Sequence, residues 1–428
     1  MATFLLAPAL AFAVLAAAPQ EPVPAPAPTP APAPTQPAPT PPPATPGKLL
    51  AVLAETLVTV ATPPIANGAV LIRDGKIEKV GPAADVPIPA DVPILRAKVV
   101  TPGLIDAHAT VGLSGLYNIP HDQDQLEKSA PIQPELRAVD AFNPRDELVS
   151  WLRGFGITTV HTGHGPGALV SGQTMVVKTH GRSVEADVVR PLAMVACTLG
   201  DGSRPRGDGK APGTRAKAVA MLREHLQKAR EYVAKKAKDP ATATDLGLEV
   251  TAKVLAGEVP LLVTAHRAHD ILAALRVAKE FGFAIVLDGA AEAYLVAPEI
   301  LAAGCPVLPH PAMARTRDEL KNGTMELAKL LHEAKVPFAL QSGYESYVPK
   351  TRVVLWEAGV AVGHGLPADA ALHALTLGAA KLLRSEQRLG SLEAGKDADL
   401  ALFDGDPFEY TTHCVGAVID GQHYPGTR

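Results

Sequence analysis

The sequence predicts an α/β chain whose body is a (β/α)8 barrel of the TIM type, carried beside a small β-sandwich built from both chain ends. Three observations predict it. Between residues 102 and 388, short β-branched runs alternate with amphipathic helical segments, the pattern of a parallel β/α architecture. Hairpin signals crowd the stretch just before it, and strands with the same turn chemistry return just after it. A chain of 428 residues with 47% hydrophobic content can bury one large core with a satellite.

Taken in order, residues 1–18 read as a signal peptide. The apolar run from Phe4 to Ala18 is too short to span a bilayer comfortably, and Ala16 and Ala18 suit cleavage, although Met1-Ala2-Thr3 carries no Lys or Arg. The expected location is periplasmic or secreted. Residues 19–48, almost wholly Pro, Ala and Thr, form no core and favour polyproline II, so they read as a linker that could tether the body to a membrane.

Residues 49–101 contain four short strands punctuated by Asn67-Gly68 and Asp74-Gly75, and residues 389–428 supply more strands around Asp420-Gly421. These two stretches form the β-sandwich, which encloses the barrel, residues 102–388. The eight barrel strands are expected at Val99 to Asp106, Gly156 to His161, Thr174 to Lys178, Leu192 to Cys197, Pro260 to Ala265, Phe283 to Leu287, Cys305 to Leu308 and Val336 to Leu340. Helices are expected at Thr214 to Lys238, Ala268 to Phe281 and Asp318 to Ala334, the first burying Val219, Leu222, Leu226 and Val233. In such a barrel, function sits at the C-terminal ends of the strands.

Composition excludes several classes. With 40 Lys and Arg against 44 Asp and Glu, the net charge of -4 offers nothing to a nucleic acid. Cys197, Cys305 and Cys414 have no CxxC or Cys/His spacing, which argues against a disulfide framework or a structural zinc. The Gly163 to Gly172 loop lacks the Lys-Ser/Thr ending of a P-loop and the spacing of a dinucleotide fingerprint.

Two separated stretches carry a family resemblance. Thr101-Pro-Gly-Leu-Ile-Asp-Ala-His opens the barrel; Ala374-Leu-Thr-Leu-Gly-Ala-Ala-Lys-Leu-Leu and Gly390-Ser-Leu-Glu-Ala-Gly-Lys-Asp-Ala-Asp-Leu close it. Together they resemble the amidohydrolase superfamily, in an imidazolonepropionase-like, secreted branch that the stretch from Thr158 to Lys178 and Val263-Thr-Ala-His-Arg-Ala-His also resemble. The resemblance implies hydrolysis of C–N bonds of small, non-peptide or dipeptide-like amides. A water activated by a divalent metal, zinc or similar, would be the nucleophile, the ion being held by imidazoles, a carboxylate and often a carbamylated lysine.

Carried over residue by residue, the metal candidates are His108, Lys178 and His266, and the candidate catalytic carboxylate is Asp288, standing where a His is expected. Other positions depart from the pattern: Thr110 and Thr264 replace imidazoles, and Gly343 replaces the proton-shuttling Asp. An unmodified Lys178 would repel a metal, and its alternative role is to pair with an acid. His161 and His164, in the Gly-rich stretch, and Arg204, in the Gly200 to Gly213 loop with Arg206 and Lys210, are candidates to line a substrate pocket. His310, Asp122, Asp124 and Glu127 fall at the same end without defined geometry. Two functions stay open: a hydrolase with a reduced metal site, or a noncatalytic protein, its metal lost, that binds a small-molecule ligand or pairs with an active paralogous subunit or with its own copy.

Overall fold

The computed structural model describes residues 48–117, 119–204, 211–344 and 351–426. The expected signal peptide, all but the last residue of the linker, and Arg206 and Lys210 lie outside the described residues.

The chain ends build one mixed sheet. Its N-terminal strands are β1 (Leu49–Leu57), β2 (Ile65–Arg73), β3 (Lys76–Pro82) and β4 (Ile94–Pro102). The barrel wall follows with β5 (Leu104–Ala109), β6 (Ile157–Gly163), β7 (Val170–Lys178), its short partner β8 (Val188–Arg190), β9 (Val195–Thr198), β10 (Leu261–Thr264), β11 (Ile285–Gly289) and β12 (Val307–Pro309). The chain then returns to the first sheet as β13 (Leu400–Phe403), β14 (Cys414–Ile419) and β15 (Gln422–Pro425).

The terminal sheet runs β15-β14-β13-β4-β1-β2-β3, with β1 and β4 parallel and every other pair antiparallel. The module expected as a sandwich is therefore one seven-stranded sheet, rolled so that its two turn signals meet: a Cβ added at Gly75 would lie 2.8 Å from the Asp420 carbonyl oxygen. Inside the roll, Val52, Leu57, Ile72 and Ile77 from the first half pack with Leu400, Leu402 and Val418 from the second.

The single strand expected from Val99 to Asp106 is two strands joined at Gly103. There β4 leaves the terminal sheet and β5 enters the barrel, and a Cβ at Gly103 would lie 2.1 Å from Thr158 Oγ1. Glycine leaves the room that the Thr158 side chain fills at this crossing.

Around the barrel the order is β12-β11-β10-β9-β7-β6-β5. The expected eighth strand, Val336 to Leu340, is an extended segment that closes the wall: Ala339 N–H donates to Val307 O at 3.2 Å, and Ala107 N–H donates to Leu340 O at 3.0 Å. Alternation sorts each strand, with Leu261, Val263, Ile285 and Leu287 facing the helices while Leu262, Val286 and Leu308 share an inner core with Ala379 and Ala380.

The third strand departs from the parallel pattern. β7 is antiparallel to both β6 and β9, so it runs from the mouth of the barrel to its base.

The long helix spans Arg215–Lys238, with the Thr214 hydroxyl accepting from Lys217 N–H as its N-cap. Its buried stripe is Ala218, Leu222, Leu226, Ala229 and Tyr232: Leu222 and Leu226 are buried as expected and Val219 packs partly buried, whereas Val233 is exposed. Ala268–Phe281 forms as expected and ends at Gly282. Asp318 to Ala334 breaks into a short 3-10 turn, Asp318–Leu320, and a helix, Leu327–Glu333. The three cysteines are free and buried; burial pushes Cys197 and Cys305 up to about 12 and Cys414 up to about 11, so all three are unreactive thiols.

Candidate active site

Parallel registry places Thr198, Thr264 and Asp288 in one layer at the C-terminal ends of β9, β10 and β11. From β5, His108 reaches across this layer, its Nδ1–H donating to Asp288 Oδ1 at 3.1 Å. Thr264 Oγ1–H donates to Asp288 Oδ2 at 2.6 Å, and Gln341 Nε2–H donates to Asp288 Oδ1 at 2.8 Å. Asp288 is thus a buried carboxylate with both oxygens occupied by donors.

The electrostatics follow from that geometry. Burial works against the Asp288 charge, but His108, Thr264 and Gln341 outweigh it and hold the carboxyl far below its ordinary range. Burial likewise works against an imidazolium at His108, and the adjacent Asp288 outweighs it, with Asp106 adding to the effect, so His108 titrates above 6.5. The two form a buried hydrogen-bonded pair. Asp106 holds His108 from behind: its Oδ1 accepts from Ser342 N–H at 2.9 Å and more weakly from His108 N–H at 3.3 Å, and burial raises its carboxyl to about 6.

His266, after β10, is half-buried with its Nδ1 enclosed and unpartnered, and desolvation depresses it to about 4, so it is a neutral imidazole. Gly289, at φ +74°, makes room for it: a Cβ there would sit 2.3 Å from His266 Cε1. His310 donates Nδ1–H to Pro311 O at 2.8 Å and leaves Nε2 unpartnered. His164, which burial also depresses, leaves both ring nitrogens without a well-formed hydrogen bond, the Gln125 backbone and the Asp124 charge opposing the burial.

Three sequence-derived assignments are corrected. Lys178 is not at the mouth: the reversal of β7 sets it level with Thr159, whereas the mouth-side pair Ala109 and Thr162 is three residues further along, roughly 10 Å away. Its Nζ lies at the base among Asp397, Asp399 and Asp420, 2.7 Å from Asp397 Oδ2, so the pairing alternative is the one realised. His161 is enclosed with both ring nitrogens committed inside the barrel: Nδ1–H donates to Ala107 O at 2.6 Å, Nε2 bonds the Thr174 hydroxyl at 2.7 Å, and burial drives it down to about 3. Arg204 closes its own loop, donating to Asp201 Oδ1 at 2.7 Å and to Gly213 O at 3.0 Å.

Comparison with known proteins agrees with this framework. The amidohydrolase family model matches residues 99–422, three quarters of the chain. The chain belongs to the amidohydrolase family.

Among solved structures of amidohydrolases, one from Thermotoga maritima MSB8 is 31% identical, with a TM-score of 0.82, covering 88% of this chain and 100% of that one. The amidohydrolase tasK of Hapsidospora irregularis is 27% identical over 390 residues; the match covers 83% of this chain but 39% of tasK, so the chain spans well under half of that relative. An imidazolonepropionase of Shewanella sp. (strain MR-4) is 28% identical over 79% of this chain and 87% of its own length.

Against the ion that such a family resemblance implies, the residues present do not fit. No group of three or more His, Cys, Asp or Glu side chains is placed to hold a metal among the described residues. Asp288 has both oxygens taken by donors, His108 turns its Nδ1–H onto Asp288, and Lys178 is at the other end of the barrel. Gln341 is the participant that sequence reasoning missed: it lies in an irregular closing segment with no local pattern, and only the closure of the barrel brings it to Asp288.

Proposed function

We propose that this amidohydrolase-family chain binds a small, amide-bearing molecule at the barrel mouth without a resident divalent ion and without metal-driven hydrolysis. One observation carries the reading: the three donors of His108, Thr264 and Gln341 use the carboxylate that would otherwise serve an ion or a water. The unpartnered, buried Nε2 of His108 and hydroxyl of Thr110 are groups that a polar ligand would satisfy.

The second reading is a hydrolase with a reduced metal site. It is favoured by His266 and His310, each depressed by desolvation and each with a buried, unpartnered ring nitrogen, the state in which imidazole ligates metals.

Purification in the presence of Zn, Mn or Fe, followed by elemental analysis and a hydrolysis panel of imidazolones, N-acyl amino acids and dipeptides, separates the two. Substoichiometric metal and no turnover, with one of those amides raising the melting temperature, is expected. A tightly held ion that supports turnover and is lost on His108→Ala overturns the noncatalytic reading.

A further inference from the structure

The other end of the barrel carries a groove of about 920 Å³ that takes no part in the mouth. Its lining includes Pro260, which precedes β10, Phe283 and Ala284, which precede β11, and Cys305 and Pro306, which precede β12. These are the N-terminal ends of the very strands whose C-terminal ends hold Thr264 and Asp288. The groove is thus separated from the mouth by the length of the barrel wall.

Two features of the lining point to an occupant. The floor is apolar, formed by Leu272, Leu275, Phe283 and Leu382, with exposed Leu301 on a helix whose Glu299 and Ala302 line the same groove. The rim is cationic: Arg276, Lys279, Lys381 and Arg384 line it, against Glu299 as the one acid among the described lining residues. The chain as a whole is acidic, at -4, so this concentration of positive charge runs opposite to its composition.

Arg384 spends its guanidinium on the Glu258 carbonyl at 2.8 Å. Arg276, Lys279 and Lys381 have no ion pair and no side-chain hydrogen bond among the described residues. Three free cations over an apolar floor complement a molecule that is apolar along its body and anionic at one end, and the volume is that of a small-molecule site.

We propose that this groove is a binding site for an amphiphilic carboxylate, a molecule with an aliphatic body and one terminal acid group. The body lies on Leu275, Phe283 and Leu382, and the acid is received by Lys279 and Lys381 with Arg276 alongside. The site is independent of whatever the barrel mouth binds.

Isothermal titration of the full chain with sodium decanoate, kept below its micellar concentration, tests it. Decyltrimethylammonium serves as the opposite-charge control and inorganic phosphate as the anion without a tail. Saturable binding of one decanoate per chain is expected, with no binding of either control. Charge reversal in K279E/K381E, two exposed positions, should weaken decanoate about tenfold or more, and the neutral K279Q/K381Q variant should fall between, with circular dichroism unchanged in both.

Absence of saturable decanoate binding overturns the proposal, as does equal binding of the ammonium control or indifference to K279E/K381E. Phosphate binding as tightly as decanoate would overturn it too, making the groove a simple anion site. Sedimentation with phosphatidylglycerol vesicles in the absence of decanoate binding would assign the face to a membrane surface instead.

Discussion

At the scale of single residues, the decisive contact is His108 with Asp288, because it sets the charge of both. For His161 and His266 burial is the largest cause, with a neighbouring imidazole adding to it: His161 is driven to about 3 and His266 to about 4. His108 is buried like His161 yet is raised above 6.5, and the difference is the carboxylate 3.1 Å from its Nδ1. Asp288→Asn keeps the shape and removes the charge, so His108 should fall below 6.5, as read by imidazole NMR through a pH titration. The pair also leaves a mark on stability. A His raised on folding stabilises below 6.5 and loses that contribution as pH rises through its folded value; a depressed Asp stabilises above 3.8 and loses it as pH falls through its folded value. The pair therefore contributes most between about 4 and 6.5, and the alkaline loss should flatten in the Asp288→Asn chain when urea midpoints are compared across pH. An unchanged His108 titration in that variant would remove Asp288 as the cause.

At the scale of elements, the reversed strand β7 reassigns its terminal lysine. The period-two pattern of Thr174 to Lys178 identified a strand correctly but carries no direction, since alternation reads the same either way. Lys178 looked like a mouth residue for that reason, and its actual partners lie more than two hundred residues away in sequence, in and just beyond the closing signature. That signature has a physical purpose here: Asp397 and Asp399 meet Lys178, Asp397 also pairs with Lys76 and Arg388, and Asp420 is shared with His180, whose other nitrogen bonds the Tyr424 hydroxyl at 2.8 Å. Lys178 is 2% exposed, so Lys178→Met leaves Asp399 buried without a cation. A loss of about 3–5 kcal/mol in urea denaturation is expected. Adding Asp399→Asn should restore part of it, which a generic packing defect from the introduced thioether side chain would not allow. The site itself was partly legible: His108, Thr264 and Asp288 each end a recognisable strand, whereas Gln341 acquires its role only through closure of the wall.

At the scale of the whole molecule, the terminal sheet and the barrel are tied together by more than chain connectivity. The sequence marked both ends of the sheet through their Asn-Gly and Asp-Gly turns, and it bracketed the barrel between them. What local pattern could not show was how β13 and β14 serve both bodies. Ala401, Phe403 and Cys414 pack in one cluster with Leu104, Leu152 and Ile157 of the barrel, while Leu400, Leu402 and Val418 face the inside of the roll. β13 also covers β4, pairing Leu402 with Val100 and Ala401 with Thr101 just before the Gly103 crossing. Removing residues 389–428 would therefore strip the outer wall beneath β5 and β6, leave β4 with an unpaired edge, and isolate Lys178 from all three of its carboxylates. A chain ending at Arg388 should show no cooperative urea transition and rapid proteolysis within the barrel, although every strand of the barrel wall is still present. If that shortened chain unfolds cooperatively with the parent midpoint, the barrel is an independent body and the aspartates of the closing signature do not hold it. The expected failure instead makes the signature a structural clasp.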